Sequence, residues 1–214
     1  NGRVVFHDGS LQDWKIDFTD NTKDNNLLLK SRDNNGLTGC ISFIDMTVQN
    51  ITVETKNSTC EDAINFIRSK GKNINITAYN SISDSMDADF SELRFDNIFI
   101  ENSKNDCLDF SFGKYELKKV SVSNCGDKGV SVGENSSVFI KEIIANNTNT
   151  GVVAKDFSKV EIESGLINNS KTCYESYNKK QEFSGAYLFV KRSECINSSN
   201  IELKDSKSII EYGR

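Results

Sequence analysis

Proline is missing from all 214 residues, where average usage of about 5% would supply roughly ten. Proline cannot donate to the interior of a hydrogen-bonded ladder, so its absence suits a chain of stacked strands. Histidine occurs once, at His7. A lone histidine is more often a surface or structural residue than a catalytic base. No stretch approaches the 18 consecutive apolar residues that mark a membrane-spanning helix. No signal-peptide pattern opens the chain. It begins abruptly at Asn1, which leaves room for a removed leader or a further domain. A basic patch is also missing. With a net charge of −5 and a pI of about 5.1, the composition argues against a nucleic-acid backbone as partner.

What the chain has is a repeat. Asn80, Asn102, Asn124, Asn146 and Asn168 follow one another at intervals of 22 residues, and Asn57 precedes them by 23. Neighbouring columns keep the same register. Two residues before each Asn come Ala78, Ile100, Val122, Ile144 and Leu166. Six after come Met86, Leu108, Val130 and Val152, and eight after come Ala88, Phe110, Val132 and Ala154. Columns two apart share one face of a strand. A fixed period of this length without helical periodicity predicts an all-β parallel solenoid. Its coils stack at ~4.8 Å and its bore is filled by the apolar columns. Asparagine tolerates left-handed backbone, and its amide both donates and accepts. The ladder amides are therefore expected to be buried and to bond one another along the axis.

The whole chain, 1–214, reads as one domain of roughly nine or ten coils. Residues 1–38 fit the repeat poorly and are expected to form an irregular N-terminal cap. Within them Val4–Phe6 and Trp14–Phe18 alternate like strands, and Asp20–Asn26 is polar and turn-rich. Regular coils are expected over 39–170, and a loop insertion with final coils over 171–214. The insertion spans Ser170–Ser184, and Ala186–Val190 and Ile201–Leu203 are the expected last strands.

Six cysteines allow fifteen disulfide connectivities. Cys173 and Cys195 are one coil apart and Cys40 and Cys60 nearly so, which makes these the expected pairs. Cys107 and Cys125 are out of phase by four and are expected as free thiols. Disulfides imply export. Seven Asn-x-Ser/Thr sequons, at Asn50, Asn57, Asn75, Asn135, Asn146, Asn168 and Asn197, are read as a product of composition rather than as glycosylation sites.

A chemical stripe runs beside the ladder. Four residues after successive ladder positions stand Asp84, Asp106, Lys128 and Thr150, with Asp62 one coil earlier. Seven after stand Asp87, Asp109, Ser131 and Val153, a column that should face outward. Like charges one rung apart cost about 3 kcal/mol at an effective dielectric of ~20, and below ~1 kcal/mol when fully solvated. Lys128 in register with Asp106 is one way to hold such a cluster. A Ca²⁺ ion bound to the stripe is another. Two carboxylates can serve glycoside hydrolysis, and carboxylates with a lysine base could serve β-elimination from a uronate. A solvated acidic face that keeps the sheet from pairing with another is the alternative.

The pattern resembles right-handed parallel β-helix proteins of the pectate-lyase and polygalacturonase type over roughly residues 46–170. Asp84-Ser-Met-Asp87 looks like the polygalacturonase stretch Asn-Thr-Asp-Gly-Ile-Asp, and Asn105-Asp106-Cys107 is similar to its Asp-Asp-Cys. Lys128-Gly-Val-Ser-Val-Gly133 looks like its Gly-His-Gly-Ile-Ser-Ile-Gly, and Gly151-Val-Val-Ala-Lys155 is similar to Gly-Val-Arg-Ile-Lys. The resemblance implies right-handed coiling and an asparagine ladder at one corner. It implies Asp84 and Asp106 as catalytic carboxylates, joined in the stripe by Asp109 and Lys128. It implies Lys155 as a contact for a substrate carboxylate, with Asp87 beside it. Asn105, Lys128 and Val153 stand where the family has an acid, a histidine and an arginine. The stretch 127–156 also looks like β-helix regions of bacterial cell-surface proteins, including spore-coat-H-like ones. Two functions follow as expectations. One is a secreted or cell-surface module associated with polysaccharide or a surface glycan, within a longer chain. The other is a polysaccharide-degrading hydrolase or lyase.

Overall fold

A computed structural model describes residues 2–21 and 32–213. These residues form sixteen strands and no helix. In chain order they are β1 (Val4–Gln12), β2 (Lys15–Thr19), β3 (Gly39–Lys56), β4 (Asp62–Ile67), β5 (Lys70–Ser81), β6 (Asp84–Asp89), β7 (Glu92–Ser103) and β8 (Leu108–Ser111). Then come β9 (Lys114–Gly133), β10 (Ser137–Lys155), β11 (Lys159–Asn168), β12 (Thr172–Tyr177), β13 (Tyr187–Val190), β14 (Ser193–Ile196), β15 (Asn200–Lys204) and β16 (Ile209–Tyr212). Every strand pairing is parallel, and partners lie one coil apart in sequence. The fold is a parallel β-solenoid of about eight coils. No helix among these residues is long and apolar enough to cross a membrane.

The coil count falls short of nine or ten for a local reason. Val4 pairs with Ile41, 37 residues on, and Lys159 pairs with Tyr187, 28 on. Both intervals are longer than the regular period, so fewer coils are made from the same length. The turn-rich Asp20–Asn26 stretch lies outside the described residues from residue 22, as does Arg214.

One coil shows the plan. The chain runs along a first face as β6 and turns at Phe90–Ser91. It then follows a second face into β7. The alternation of buried and exposed residues breaks at Asp96–Asn97, and a third face ends at the turn Asn102–Ser103. Long strands such as β9 and β10 keep their pairing through these bends. The bore is filled as the columns predict. Met86, Leu108, Val130 and Val152 stack as Cα partners and are fully buried, as are Ala88, Phe110, Val132 and Ala154. Towards the N-terminal end the rings of Phe6, Phe43 and Phe66 stack at 5.2 and 4.6 Å.

Residues 4–19 are not an irregular cap. β1 and β2 lie in register on β3, as a further rung of the solenoid. Among the described residues none stacks on their outer faces, and Trp14 is half exposed. The insertion near the C-terminal end is also shorter than expected, because Cys173 to Tyr177 belong to β12, paired with β10.

The asparagine ladder forms, with two differences. Asn57, Asn80, Asn102 and Asn124 all have left-handed φ, between 55° and 64°. Asn80 donates to Asn57 at 3.0 Å, Asn102 to Asn80 at 3.0 Å and Asn124 to Asn102 at 2.8 Å. These residues are exposed rather than buried. The buried partner at each corner is the next residue: Ser58, Ser81, Ser103, Cys125, Thr148 and Ser170. The second difference is register. The turn at 134–136 carries one additional residue, since Ser111 pairs with Gly133 at an interval of 22 but Lys114 with Ser137 at 23. The left-handed positions therefore move to Asn147 and Asn169, and the inward column to Ala145 and Ile167, leaving Ile144 exposed. A bulge between Thr148 and Thr150 restores the 22-residue register.

Cysteines bear out two expected pairs and correct one. Cys40–Cys60 and Cys173–Cys195 are bridged. Cys107 and Cys125 are bridged as well, with Cα atoms 5.5 Å apart. They are out of phase because this bridge does not stack rung on rung. It joins the buried residue after Asn124 to the residue just before β8, across the corner.

Candidate functional site

The stripe occupies the first face, built from β4, β6, β8, the ends of β9 and β10, and β12. Its outward column runs Asn65, Asp87, Asp109, Ser131, Val153 and Glu175. It points away from the bore because it alternates with the two apolar columns. The other column begins each strand: Asp62 pairs with Asp84, and Lys128 with Thr150. All six residues expected in a site lie on this face, together with Asp62, Asn65 and Asp89.

The residues are brought together in a definite way. Asp84 Oδ1 accepts the Asp106 backbone N–H at 2.9 Å and the Asn105 amide at 2.7 Å. Asp106 Oδ1 accepts the Lys128 backbone N–H at 3.0 Å. Each carboxylate thus satisfies a donor on the following coil. The Lys128 ammonium lies 3.5 Å from Asp106 and contacts Asp127 more closely. Asp127 in turn accepts the Asn149 amide at 3.1 Å. One rung over, Lys155 Nζ lies 3.8 Å from Asp109. Lys155 reaches back because Gly133 leaves room: a Cβ there would sit 2.9 Å from Lys155 Cε. Asn65 donates to Asp87 at 3.1 Å and more weakly to Asp62 at 3.4 Å.

The face is not the freely solvated surface that outward alternation implies. Asp106 is 4% exposed, Asp62 3% and Lys155 5%. Asn65 Oδ1, Ser131 Oγ and Asp109 Oδ1 are buried without a hydrogen-bond partner. Near one edge of the face the segment 178–184 folds back. Asp156 Oδ1 accepts the backbone N–H of Lys179 and of Lys180 at 2.7 Å each, and Lys180 Nζ pairs with Glu134 at 2.5 Å.

Burial raises the carboxylates, because it disfavours the charged form. Desolvation, then the Asp106 charge, pushes Asp84 up to about 7. Desolvation puts Asp62 at about 7 against a hydrogen bond from Thr38. Asp89 stands at about 6 through desolvation and Asp109. Asp106 stands at about 6, where desolvation outweighs the opposing Lys128 charge. Desolvation and four neighbouring carboxylates hold Asp87 well above the usual range. Lys128 moves up, since Asp106 and Asp127 outweigh its own burial. Asp127 and Glu134 are lowered despite burial, by Lys128 and Lys180 respectively.

In the stripe, Asp84 and Asp106 each give one oxygen to a backbone donor, and Asp106 and Asp109 face lysines. Among the described residues, the three potential ligands whose donor atoms lie within 4.8 Å of one another are His7, Asp8 and Asp45, all exposed. Asp45 is already paired there with Arg68 through two bonds of 2.8 Å.

Sequence reasoning passed over Asn65 and Asp89, although Asn65 stands 22 residues before Asp87 and Asp89 two after it. It also missed a second corner. Arg68, Phe90, Phe112, Asn135 and Phe157 have left-handed φ between 48° and 66°. Each is followed by a small residue: Ser69, Ser91, Gly113, Ser136 and Ser158. The serines hydrogen-bond into the turns; Ser69 Oγ donates to Phe43 O at 3.1 Å and Ser158 Oγ to Val132 O at 3.0 Å. The legible signal was the serine column, not the residues before it.

The chain matches no family model, no curated protein and no solved structure.

Proposed function

We propose that the protein is a secreted or cell-surface solenoid module that associates with polysaccharide without cleaving it. The observation that carries this reading is the engagement of the stripe: Asp84 and Asp106 each hold a backbone N–H of the next coil, and Asp106 and Asp109 each face a lysine. Side-chain oxygens used in this way satisfy backbone donors of the coil stack. Hydrolysis by a carboxylate pair needs a sugar ring seated between the two groups. Rows of side chains repeating at ~4.8 Å suit a ligand that itself repeats. Three disulfides support an oxidising compartment.

A hydrolase or lyase is the second reading, favoured by one observation. Asp84 near 7 and Asp106 near 6 sit in the range useful to a general acid. In it Asp84, Asp106 and Asp109 would be the carboxylates, Lys128 the base, and Asp87 and Lys155 substrate contacts. No calcium-dependent step enters either reading. A polysaccharide-binding array, run beside a depolymerisation screen on the same polymers, separates the two. Binding without new reducing ends or unsaturated products supports the module. Product formation overturns it, and binding to no polymer overturns both.

A further inference from the structure

The corner opposite the asparagine ladder carries exposed aromatic side chains where the backbone least favours them. Phe90, Phe112 and Phe157 have φ of 53°, 50° and 66°, and a bulky residue at positive φ is an outlier. They are in register. The Phe90 N–H bonds to Ser111 O, Phe112 N–H to Glu134 O, Asn135 N–H to Asp156 O and Phe157 N–H to Ser184 O. The column therefore reads Arg68, Phe90, Phe112, Asn135, Phe157, one residue per coil. Phe90 and Phe112 stack with centroids 4.7 Å apart and planes 4° from parallel. Phe90 is nevertheless 56% exposed and Phe157 52%. Asparagine suits a left-handed corner, as the opposite ladder and Asn135 itself demonstrate. Stacking of the coils alone does not call for phenylalanine here.

The rings border a groove of about 620 Å³ that passes over the second face. Its far side is the column Lys70, Glu92, Lys114, Ser137, Lys159. Lys70, Lys114 and Lys159 are exposed and, among the described residues, none forms an ion pair, whereas Arg68 is neutralised by Asp45. Three free lysines against one glutamate make a locally positive strip on a chain of net charge −5.

We propose that this corner binds a linear anionic polysaccharide, its sugar rings laid on the phenylalanine faces and its carboxylates or sulfates on Lys70, Lys114 and Lys159. The apolar C–H face of a pyranose is weakly positive and complements the negative face of an aromatic ring. The lysines add attraction that salt screens. This inference rests on the polysaccharide reading above and assigns it a place and a charge class.

The test is binding of the intact protein to alginate, which carries carboxylates, to dextran sulfate and to neutral dextran, by calorimetry at low and high salt. Alginate or dextran sulfate should bind and dextran should not, and whichever anion binds more tightly identifies the acid group. Phe112→Asn keeps a residue suited to the corner and should weaken binding at least 10-fold. The pair Lys114→Glu with Lys159→Glu should weaken it further and abolish its salt dependence. Asn135→Phe completes the aromatic row and should strengthen binding several-fold. Anionic binding that ignores all these variants overturns the corner and leaves the polysaccharide reading standing. Equal binding of neutral dextran overturns the charge class. Binding that survives Phe112→Asn and is lost only with the lysines overturns the stacking and leaves a simple charged patch. Binding of none of the three polymers, with other polysaccharides bound on an array, also overturns this inference alone.

Discussion

The side-chain amide of Asn147 donates to Asn124 Oδ1 at 2.7 Å across 23 residues, while its neighbour Asn146 accepts from Asn169 at 3.0 Å. Two adjacent asparagines thus share one rung of the ladder. The additional residue in the turn at 134–136 is absorbed without breaking the chain of amides. Asn146 keeps the arithmetic of the repeat, but Asn147 holds the left-handed backbone, with φ of 57°.

Asn124 is the rung on which two ladder bonds meet, one donated to Asn102 and one accepted from Asn147. Asn124→Ala removes both and places alanine at a φ of 55°. Left-handed backbone alone costs roughly 1–2 kcal/mol for such a residue, and the loss of amide bonds adds about 1 kcal/mol. Asn124→Gly loses the same bonds without the backbone cost. Urea unfolding should therefore rank wild type above Gly above Ala. A Gly variant as weak as Ala would mean the corner is held by hydrogen bonds alone.

The bore behind the first face was legible residue by residue. Leu108, Phe110, Val130 and Val132 sit in period-2 columns, and period 2 fixes which way a strand residue points. The ladder was legible to within one residue, because an insertion in one turn shifts everything until a bulge returns it. Asn147-Thr148 and Asn169-Ser170 carried that correction in the small residue after the asparagine. Burial of the stripe was not legible. Alternation places Asp87 and Asp109 outside the bore but is silent on Lys155 lying across Gly133, or on the fold-back of 178–184. Those depend on contacts between distant coils. Pairing of Cys107 with Cys125 escaped for a similar reason, since only like-phased residues stack and this bridge joins unlike ones.

Leu108 is fully buried between Met86 and Val130, and Asp109 beside it faces outward. Leu108→Ala should cost about 2–5 kcal/mol, the range for a buried leucine left as a cavity. Asp109→Asn should cost far less. Chemical denaturation of both variants checks the phase, and a larger loss at Asp109 would reverse it.

Non-reducing peptide mapping should recover a linked pair containing Cys107 and Cys125, with no thiol alkylated before reduction. The bridge closes 18 residues of sequence separation. For a loop of that size the chain-entropy model gives about 3 kcal/mol. Replacing both cysteines by serine should lower stability by about that amount, and alkylation of either native thiol would remove the bridge from the account.

Stability should rise on mild acidification, against the usual trend. Asp62 and Asp84 stand near 7, Asp89 and Asp106 near 6, all above the ordinary value of about 3.9. Between pH ~4 and ~7 the folded state therefore holds protons that the unfolded chain has released. Stability then falls as pH rises through this window. Below it, the lowered groups Asp127 and Glu134 become protonated and stability declines again. One kcal/mol moves Tm by roughly 2–4 °C in a chain of this size, so Tm should be several degrees higher near pH 5 than at pH 8. Asp84→Asn should flatten the slope. A Tm that climbs steadily from pH 4 to pH 8 would contradict the buried state of the stripe.

Asp106→Asn separates structure from catalysis most directly. Asparagine keeps an oxygen to accept the Lys128 backbone N–H, now held at 3.0 Å, and Lys128 keeps Asp127 as its partner. What disappears is a carboxylate only 4% exposed. At pH 8, above its value of about 6, that carboxylate is ionised and poorly solvated, so its removal should raise Tm slightly. At pH 5 it is already protonated, and the variant should match the wild type. In the module reading, polysaccharide binding is unchanged and neither protein releases products. In the enzyme reading, the wild type depolymerises a substrate and the variant loses turnover by orders of magnitude while binding persists. Thermal melts at the two pH values, with a product assay on the same preparations, measure both. A wild type that cleaves and a variant that does not would replace the module by the enzyme. A variant that melts well below wild type at pH 8 would show instead that the ionised Asp106–Lys128 pair holds the coils together.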